Sequence, residues 1–369
     1  MIAIKNSKFF KDEELITDAT VLIAEGVIQD ITKDAVPAGY EVIDGQGSYL
    51  SPGFIDLQIY GSGGNLFSAY PTADTLKQMD EDLISKGTTG FLVCLATNTL
   101  ETFKRAIEAA KAYQSQARAF LGLHLEGPYL NPGRLGAHPL EYVHKATLEE
   151  VKWLLDDADG VVKMMTIAHE LQDDAVIEYL LEQGIVLSLG HSNADFEQAN
   201  HAFGSGFTTT THLYNAMPSI HHRNPGLPAA VFNHPTAMAS IIADGAHVDL
   251  EIIKMTYKLM PERLFLITDA VTACTIGPYK HQLEGSRYVT PEGTISGSNI
   301  TLLDAVNNCV KHCHIPLSAA INMASLRPAE VLKIDDRYGQ IAIGKVADLL
   351  LITDNLTLQK VFAGGLLNV

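Results

Sequence analysis

The stretch AFLGLHLEGPYLNP, residues 119–132, places a carboxylate at the end of an apolar segment. Its first part has the composition of a buried β-strand, and Glu126 lies near the C-terminal end of that strand, followed at once by Gly127 and Pro128. A buried carboxylate is costly unless a positive group satisfies it. The position of Glu126 therefore indicates a functional site at this strand end.

Two later stretches have the same form, because strand-like segments end in His191 (IVLSLGHS) and in His212 (TTTTHL). One glutamate and two histidines are a common ligand set for a catalytic zinc that keeps an open position for water. Each residue alone could be a hydrogen-bonded polar side chain at a strand end. All three buried together are hard to satisfy without a cation. We therefore predict a metal site formed by Glu126, His191 and His212.

The middle of the chain, residues 51–334, repeats a strand-like segment at a fairly steady interval. The segments are GFIDLQIYG (53–61), GFLVCLAT (90–97), FLGLHLEG (120–127), VVKMMTIAHE (161–170), GIVLSLGHS (184–192), TTTTHLYNA (208–216), AMASIIADGAH (237–247) and LFLITDAV (264–271). Stretches of helical period separate most of them, as in 74–84 and 173–183. Eight strands alternating with helices predict an α/β fold, a closed parallel (β/α)8 barrel of the TIM type. No glycine-rich phosphate motif follows a strand, which argues against a nucleotide-binding sheet.

The two ends of the chain share a sequence pattern that differs from the pattern of the middle. Residues 1–50 and 335–369 alternate apolar and polar positions in short bursts with turn residues between them. We expect these two segments to pair into one small sheet domain around the inserted barrel of residues 51–334.

Polar residues follow seven of the eight predicted strands, at the end where a barrel of this kind carries its active site. They are Gln58, Glu126, His169, His191, His212, His247 and Asp269. Asp269 is placed to take a proton from an activated water and pass it to a leaving group, or it caps the next loop. His247 is a candidate to bind substrate hydroxyls, or it is a satisfied strand-end histidine.

The segment THLYNAMPSIHHRNPG, residues 211–226, is a long loop that contains Asn215 and Arg223. An arginine fork suits a phosphate or a carboxylate, so this loop could form a local anion site; the alternative is a solvated surface loop. By contrast, we interpret the tract CVKHCH at 309–314 as part of a helix that packs in the core and not as a metal site, because no second Cys/His cluster accompanies it.

Composition restricts the partners and the compartment. The chain has 26 basic and 43 acidic residues, a net charge of −17, so neither nucleic acid nor anionic membranes are expected partners. Its four cysteines show no disulfide spacing, and neither a signal peptide nor a transmembrane run is apparent. We therefore expect a cytoplasmic protein.

Taken together, several motifs resemble the N-acetylglucosamine-6-phosphate deacetylase family of the amidohydrolase superfamily. They are GFIDLQ, HLEGPYLNP, LGHS, THLYNAM, HRNPG, ADGAHVD, LITDA and SGSNITLLDAV. The resemblance runs from SPGFIDLQ to GKVADLLL and so covers nearly the whole chain. It implies a metal-dependent barrel with a small β-sandwich built from both termini, and hydrolysis of N-acetyl-D-glucosamine 6-phosphate to D-glucosamine 6-phosphate and acetate.

The same resemblance implies roles for individual residues. Glu126, His191 and His212 correspond to the metal ligands, with zinc favoured and iron, cobalt and manganese left open, and Asp269 corresponds to the catalytic acid and base. The implied substrate-binding residues are His138, Asn215, Ala216, Arg223, His247 and Ser298. Asn215 and Ala216 would hold the phosphate through the loop amides, His138 and His247 would contact the sugar, and Ser298 would lie near the acetyl group. Arg223 would reach the substrate of a neighbouring subunit, which implies a homodimer.

Two positions depart from the expected pattern. Many amidohydrolases carry His-x-His on the first strand to hold a second metal, whereas this chain has Gln58-Ile59-Tyr60. Because an amide and a phenol are poor replacements for two imidazoles, Gln58 and Tyr60 mark a vestigial position, and we predict a single metal ion per subunit. His169 stands where proline is expected, and it is either a polar wall residue or an additional weak ligand.

Two alternatives to this function stay open from the sequence. One is a deacetylase for a related substrate, either N-acetylgalactosamine 6-phosphate or an N-acyl amino acid. The other is a non-catalytic barrel that serves as a scaffold, although none of Glu126, His191, His212 and Asp269 is missing.

Overall fold

A parallel barrel forms the centre of the computed structural model, which describes residues 1–11 and 13–368. Its strands are β1 (Phe54–Ile59), β2 (Thr88–Ala96), β3 (Phe120–Glu126), β4 (Val162–Ile167), β5 (Val186–Leu189), β6 (Thr209–Thr210), β7 (Met238–Ile242) and β8 (Leu264–Ile267). Each strand pairs in parallel with the next along the chain. A parallel bridge between Ile59 and Ala270 joins the ends of β1 and β8. The predicted (β/α)8 barrel is confirmed.

The described residues form ten α-helices, and one follows each barrel strand. They are α1 (Ala73–Ser85), α2 (Leu100–Gln114), α3 (Leu148–Leu155), α4 (Asp174–Glu182), α5 (Phe196–Gly204), α6 (Gly226–Asn233), α7 (Leu250–Leu259), α8 (Leu302–Lys311), α9 (Leu317–Ala324) and α10 (Leu326–Leu332). Side-chain caps explain several starts: Thr72 accepts from the Thr75 amide, and Asp195 forms a capping box with Gln198. The helices predicted at 74–84 and 173–183 coincide with α1 and α4.

Two small sheets lie outside the barrel. One is built from N-terminal strands alone, and the other combines an N-terminal strand with C-terminal strands. In spatial order, one sheet contains Val27–Thr32, Thr20–Ala24, Ile2–Lys5 and Glu41–Asp44, and the other contains Leu366–Leu367, Leu358–Ala363, Leu349–Ile352 and Tyr49–Pro52. They share a core that includes Ile4, Ile28, Leu349 and Phe362. The expected β-sandwich domain from both termini is confirmed, while its boundaries at residues 50 and 335 stay a prediction.

The barrel and the β-sandwich also carry several shorter elements. They are the hairpins Phe9–Lys11 with Glu14–Ile16 and Gly61–Ser62 with Asn65–Leu66, the three strands Gln282–Glu284, Arg287–Val289 and Ile295–Ser298, and the 3-10 turns Pro132–Arg134, Leu140–Tyr142 and His169–Leu171. The three-stranded sheet belongs to the connection between β8 and α8. It joins the barrel mouth through a parallel bridge between Ala270 and Ser298.

A directional chain of hydrogen bonds crosses the barrel interior. Ser188 donates to Thr211 (2.5 Å), Thr211 to Thr166 (2.6 Å), and Thr166 to Nε2 of His124 (2.7 Å). Nδ1 of His124 then donates to the carbonyl oxygen of Leu57 at 2.9 Å. Burial lowers the pKa of His124 to about 4, so its imidazole is neutral at neutral pH. This buried polar layer links strands on opposite sides of the barrel.

Two expectations about individual segments are also answered. Cys309 and Cys313 are buried in the core, which confirms the packing interpretation of the CVKHCH tract. None of the described helices combines the length and the apolar character that crossing a membrane requires.

The carboxylate of Asp80 accepts hydrogen bonds that connect α1 to the neighbouring segments of the barrel, and their contribution to stability can be tested. It is buried on α1 and accepts hydrogen bonds from the Tyr113 hydroxyl (2.6 Å) and from the Arg118 and Ala119 amides (both 2.9 Å). We expect Asp80→Ala to lower the free energy of unfolding by about 3 kcal/mol, because two buried donors and one partly buried donor lose their acceptor.

Urea unfolding followed by circular dichroism measures this change. Glu81→Ala is the matched control, since Glu81 is exposed on the same helix, and it should change the free energy of unfolding by less than about 0.5 kcal/mol. Equal effects of the two substitutions would contradict the assigned role of Asp80.

Candidate active site

Glu126, His191 and His212 converge at the C-terminal mouth of the barrel. Oε1 of Glu126 lies 3.2 Å from Nε2 of His212 and 3.4 Å from Nε2 of His191, and the two Nε2 atoms are 3.1 Å apart. All three side chains are buried, and one ligand atom from each lies within 4.8 Å of the others. Glu126 ends β3, whereas each histidine stands two residues beyond the end of its strand. The structure thus brings together the three residues that the sequence singled out.

The hydrogen bonds around this cluster fit a bound cation. Nδ1 of His191 donates to the carbonyl oxygen of Arg134 at 2.8 Å, so the lone pair of a neutral His191 ring is on Nε2 and faces the cluster. Burial by itself lowers the pKa of His212, but the Glu126 carboxylate outweighs burial and raises it above its ordinary value. The cluster therefore attracts positive charge, and one carboxylate with two imidazoles is a donor set that suits a catalytic metal.

Three side chains fix the carboxylate of Glu126 from the sides. Gln58 donates to Oε1 through Nε2 at 2.9 Å, while the Tyr60 hydroxyl and Nε2 of His138 (3.1 Å) donate to Oε2. Burial alone raises the pKa of Glu126, yet His191 and the hydrogen bonds from its histidine neighbours outweigh burial and hold the pKa well below its ordinary value. Glu126 is thus ionised, and it presents Oε1 to the two histidines.

Gln58 and Tyr60 therefore have a defined role in this chain. They lie at the C-terminal end of β1, and both hydrogen-bond to carboxylates. Gln58 donates to Asp269 Oδ1 at 2.9 Å as well as to Glu126, so it bridges the two acids. Two neutral donors thus stabilise the negative charge of these carboxylates.

Asp269 lines the same cavity, two residues beyond β8. Burial raises the pKa of its carboxyl group above the ordinary value, against the opposing effect of His212 and His247. A carboxyl group whose pKa is raised toward neutrality is suited to take up and release a proton during a reaction.

The backbone at these positions adopts the left-handed region that non-glycine residues rarely occupy. The φ angle is +46° at His191, +33° at His212, +53° at Asp269 and +51° at Ala216. Each such residue costs of the order of 1–3 kcal/mol and persists only where the surrounding structure enforces it. The chain therefore turns sharply after β5, β6 and β8, and these turns carry residues of the site.

The cavity above the cluster receives several of the residues expected to bind substrate. Asn215, Ala216, His138 and His247 all line it. Nδ1 of His247 lies 2.7 Å from a carboxylate oxygen of Asp244, to which it donates, so Nε2 of a neutral ring is left as an acceptor. Burial lowers the pKa of His138 to about 4, which keeps its ring neutral.

Three sequence candidates lie elsewhere. The hydroxyl of Ser298 donates to the carbonyl oxygen of Thr268 at 2.5 Å, and the neighbouring Ser296 and Gly297 line the cavity instead. Arg223 is exposed and borders a separate cavity. His169 packs its ring against His201 and Phe207 at 5.2 Å each, away from the cluster, so it is not an additional ligand of this site.

Sequence reasoning missed Tyr279 and His281, which line the cavity from the connection between β8 and α8. The part of that connection between the LITDA and SGSNITLLDAV motifs, residues 271–295, contains no motif that the sequence analysis used. The available signal was its position, because loops after the C-terminal ends of barrel strands build the active site.

A profile of the amidohydrolase family matches residues 49–367. The chain belongs to this family. It is 34% identical to the N-acetylglucosamine-6-phosphate deacetylase of Haemophilus influenzae, with 96% of this chain and 95% of that protein covered. It is 33% identical to the N-acetylgalactosamine-6-phosphate deacetylase of Shewanella sp. (strain ANA-3), with 86% of this chain and 82% of that protein covered.

A solved structure gives the same result for the fold. The crystal structure of N-acetylglucosamine-6-phosphate deacetylase from Pasteurella multocida superimposes with a TM-score of 0.94 at 32% identity, covering 99% of this chain and 98% of the other. The resemblance inferred from the motifs is thereby confirmed. Amidohydrolases are metal-dependent hydrolases, and the buried Glu126, His191 and His212 fit a metal site.

The contact between Tyr60 and Glu126 generates a test of the metal site. We expect Tyr60→Phe to weaken divalent metal binding by about 10- to 100-fold, because Glu126 loses a hydrogen bond that orients it. Competition with a chromogenic chelator measures the affinity, and elemental analysis measures the metal content. Tyr288→Phe is the control: Tyr288 is buried in the three-stranded sheet and does not line the cavity. Unchanged metal affinity of Tyr60→Phe would contradict this role.

Proposed function

We propose that this protein hydrolyses the N-acetyl group of N-acetyl-D-glucosamine 6-phosphate to give D-glucosamine 6-phosphate and acetate. The observation that carries the proposal is the buried cluster of Glu126, His191 and His212 with Asp269 beside it at the barrel mouth. Near full-length similarity to N-acetylglucosamine-6-phosphate deacetylases supports the choice of substrate. We place the reaction in amino-sugar catabolism and keep a cytoplasmic location as a prediction.

The proposed cofactor is one divalent metal ion per subunit, held by Glu126, His191 and His212. Zinc is the first candidate, since it suits one carboxylate and two imidazoles, and iron, cobalt and manganese suit the same donors. The hydrogen bonds from Gln58 and Tyr60 support a single ion, because both side chains already bind the carboxylates that a second ion would need.

In the proposed mechanism, Asp269 moves the proton. A bound metal would polarise the amide carbonyl and lower the pKa of a water molecule. The ionised Asp269 takes a proton from that water as it attacks the amide carbon, and the protonated Asp269 then delivers the proton to the leaving nitrogen. The raised pKa of Asp269 favours the first step, because it makes the carboxylate a stronger base. Gln58 keeps the carboxylate oriented in both steps through its bond to Oδ1.

Other residues would orient the substrate. We propose that Asn215 and Ala216 hold the sugar phosphate through the backbone of the loop after β6, and that the acceptor nitrogen of His247 receives a sugar hydroxyl. His138 lies beside Glu126, where it could contact the amide or the sugar as well as the carboxylate. Ser298 would contribute indirectly on the acetyl side, because its hydroxyl hydrogen-bonds to the backbone and so fixes the position of its own segment. Arg223 would bind the phosphate in a partner subunit, which makes a homodimer part of this proposal.

One alternative substrate has a specific observation in its favour. The similarity to an N-acetylgalactosamine-6-phosphate deacetylase keeps the galactosamine epimer in consideration. The glucosamine epimer is preferred, because the similarity to the N-acetylglucosamine-6-phosphate deacetylases of Haemophilus influenzae and Pasteurella multocida covers more of the chain. Deacetylation of an N-acyl amino acid and a non-catalytic scaffold have no comparable support.

Acetate release from purified protein of known metal content tests the proposed function. We expect turnover of N-acetylglucosamine 6-phosphate to exceed that of its galactosamine epimer and of unphosphorylated N-acetylglucosamine, because the phosphate site contributes to binding. A chelator should abolish turnover, and added metal should restore it. Faster turnover of the galactosamine epimer would favour the alternative, and no turnover of any acetylated sugar phosphate by the metal-loaded protein would reject both.

Asp269→Asn tests the proton transfer. We expect kcat to fall by at least about 10³-fold, because the amide can neither accept nor deliver the proton, while metal content and thermal stability stay close to those of the wild-type protein. The amide is nearly isosteric with the carboxylate and leaves the three proposed ligands in place. Near-normal acetate release from this variant would contradict the assignment of Asp269 as the residue that transfers the proton.

A further inference from the structure

The walls of the catalytic cavity differ in chemistry from one sector of the barrel to the next. Asn215, Ala216 and His247 line the sector that follows β6 and β7. The sector that follows β8, β1 and β2 carries a group of apolar and aromatic side chains, beside the polar Ser68, Asp269, His281 and Ser296. The apolar and aromatic group consists of Tyr60, Leu66, Ala96, Val271 and Tyr279, which pack in one buried cluster. A substrate with one polar and one apolar end would therefore bind in a single direction.

Tyr279 is held rigidly in this apolar wall. Its hydroxyl donates to the carbonyl oxygen of Thr97 at 2.7 Å, and its ring meets the ring of His138 nearly at a right angle, with centroids 6.2 Å apart. On another side His281 stacks against it, with an interplanar angle of 17° and centroids 6.0 Å apart. Only 6% of Tyr279 is exposed, so its ring is packed on most sides and meets the cavity with one face.

The loop that carries Tyr279 is itself closed by hydrogen bonds. Cys274 and His281 exchange backbone bonds, at 3.2 Å from the Cys274 amide and 3.0 Å from the His281 amide. Nδ1 of His281 lies 2.8 Å from the hydroxyl of Ser296 in the adjacent strand. Both the side chain of Tyr279 and its supporting loop are thus fixed, and a fixed wall discriminates by size.

We propose that Tyr279 determines specificity by closing the acyl pocket, so that the enzyme accepts an acetyl group and excludes longer acyl chains. This inference rests on the deacetylase function proposed above. The scissile amide must lie at Asp269 and the metal cluster, and the phosphosugar suits the polar sector. The methyl of the acyl group then points to the apolar sector. His138 joins the two regions, since it donates to Glu126 and contacts Tyr279 through its ring.

The size of the expected effect follows from pocket selectivity in general. One methylene that a rigid apolar pocket cannot accommodate changes kcat/KM by about 10- to 200-fold. We therefore expect the wild-type enzyme to prefer N-acetyl- over N-butyrylglucosamine 6-phosphate by at least that factor. In Tyr279→Ala the ratio of kcat/KM for the N-butyryl over the N-acetyl substrate should rise at least about 10-fold.

The experiment measures kcat/KM for the N-acetyl, N-propionyl and N-butyryl derivatives of glucosamine 6-phosphate with full-length, metal-loaded protein. Tyr279→Phe keeps the ring and should retain the wild-type preference. Tyr288→Ala is the control for loosened packing, because Tyr288 belongs to the same buried cluster and the same β8–α8 connection as Tyr279 but does not line the cavity. Tyr279→Leu replaces Tyr279→Ala if the latter does not fold, and it should show a smaller shift in the same direction.

The outcomes separate this inference from the proposed function. If the wild-type enzyme hydrolyses the N-acetyl substrate but Tyr279→Ala and Tyr279→Leu keep the same preference, the inference is wrong and the function stands. An equal shift in Tyr288→Ala would also overturn it, since the effect would then come from a loosened sheet. If the wild-type enzyme hydrolyses no member of the series, the function fails and this inference fails with it.

Discussion

The ionised carboxylate of Glu126, buried at the barrel mouth, is the interaction on which the site depends. It is stable there because donors from β1 and its end (Gln58 and Tyr60) and from the loop after β3 (His138) converge on its two oxygens. These donors come from separate parts of the barrel. The carboxylate therefore couples elements that are far apart in sequence, and its environment is complete only when the barrel is closed.

The same arrangement explains why the ligand positions have a strained backbone. His191, His212 and Asp269 sit where the chain leaves a strand, and their positive φ angles aim the side chains at a common point. Glycine would adopt these angles without strain but would supply no ligand or acid. The surrounding fold thus holds the ligand atoms in place, consistent with strain stored at a functional site.

Much of this architecture could be predicted from sequence because its signals are local. A buried strand that ends in glutamate or histidine is visible in a single segment, and the parallel barrel brings such ends together. That reasoning placed Glu126, His191, His212 and Asp269 in one site. It could not fix the direction of a side chain, and this is why Ser298 was assigned to the substrate although its hydroxyl bonds to Thr268. The lining by Tyr279 was missed because it arises from a loop that folds back over the mouth.

The strand Tyr49–Pro52 pairs with Leu349–Ile352, so this sheet can form only after the C-terminal strand has been synthesised. The sheet that contains Ile2–Lys5 uses only residues before the barrel, so its strands are all made early. The other sheet must wait until nearly the whole chain has left the ribosome, since its partner strands lie about three hundred residues apart. One edge of this early strand bonds to Lys8, but the other edge stays unpaired through barrel synthesis, and such an edge invites association between nascent chains. Completing the sandwich removes that exposed edge and marks the end of folding.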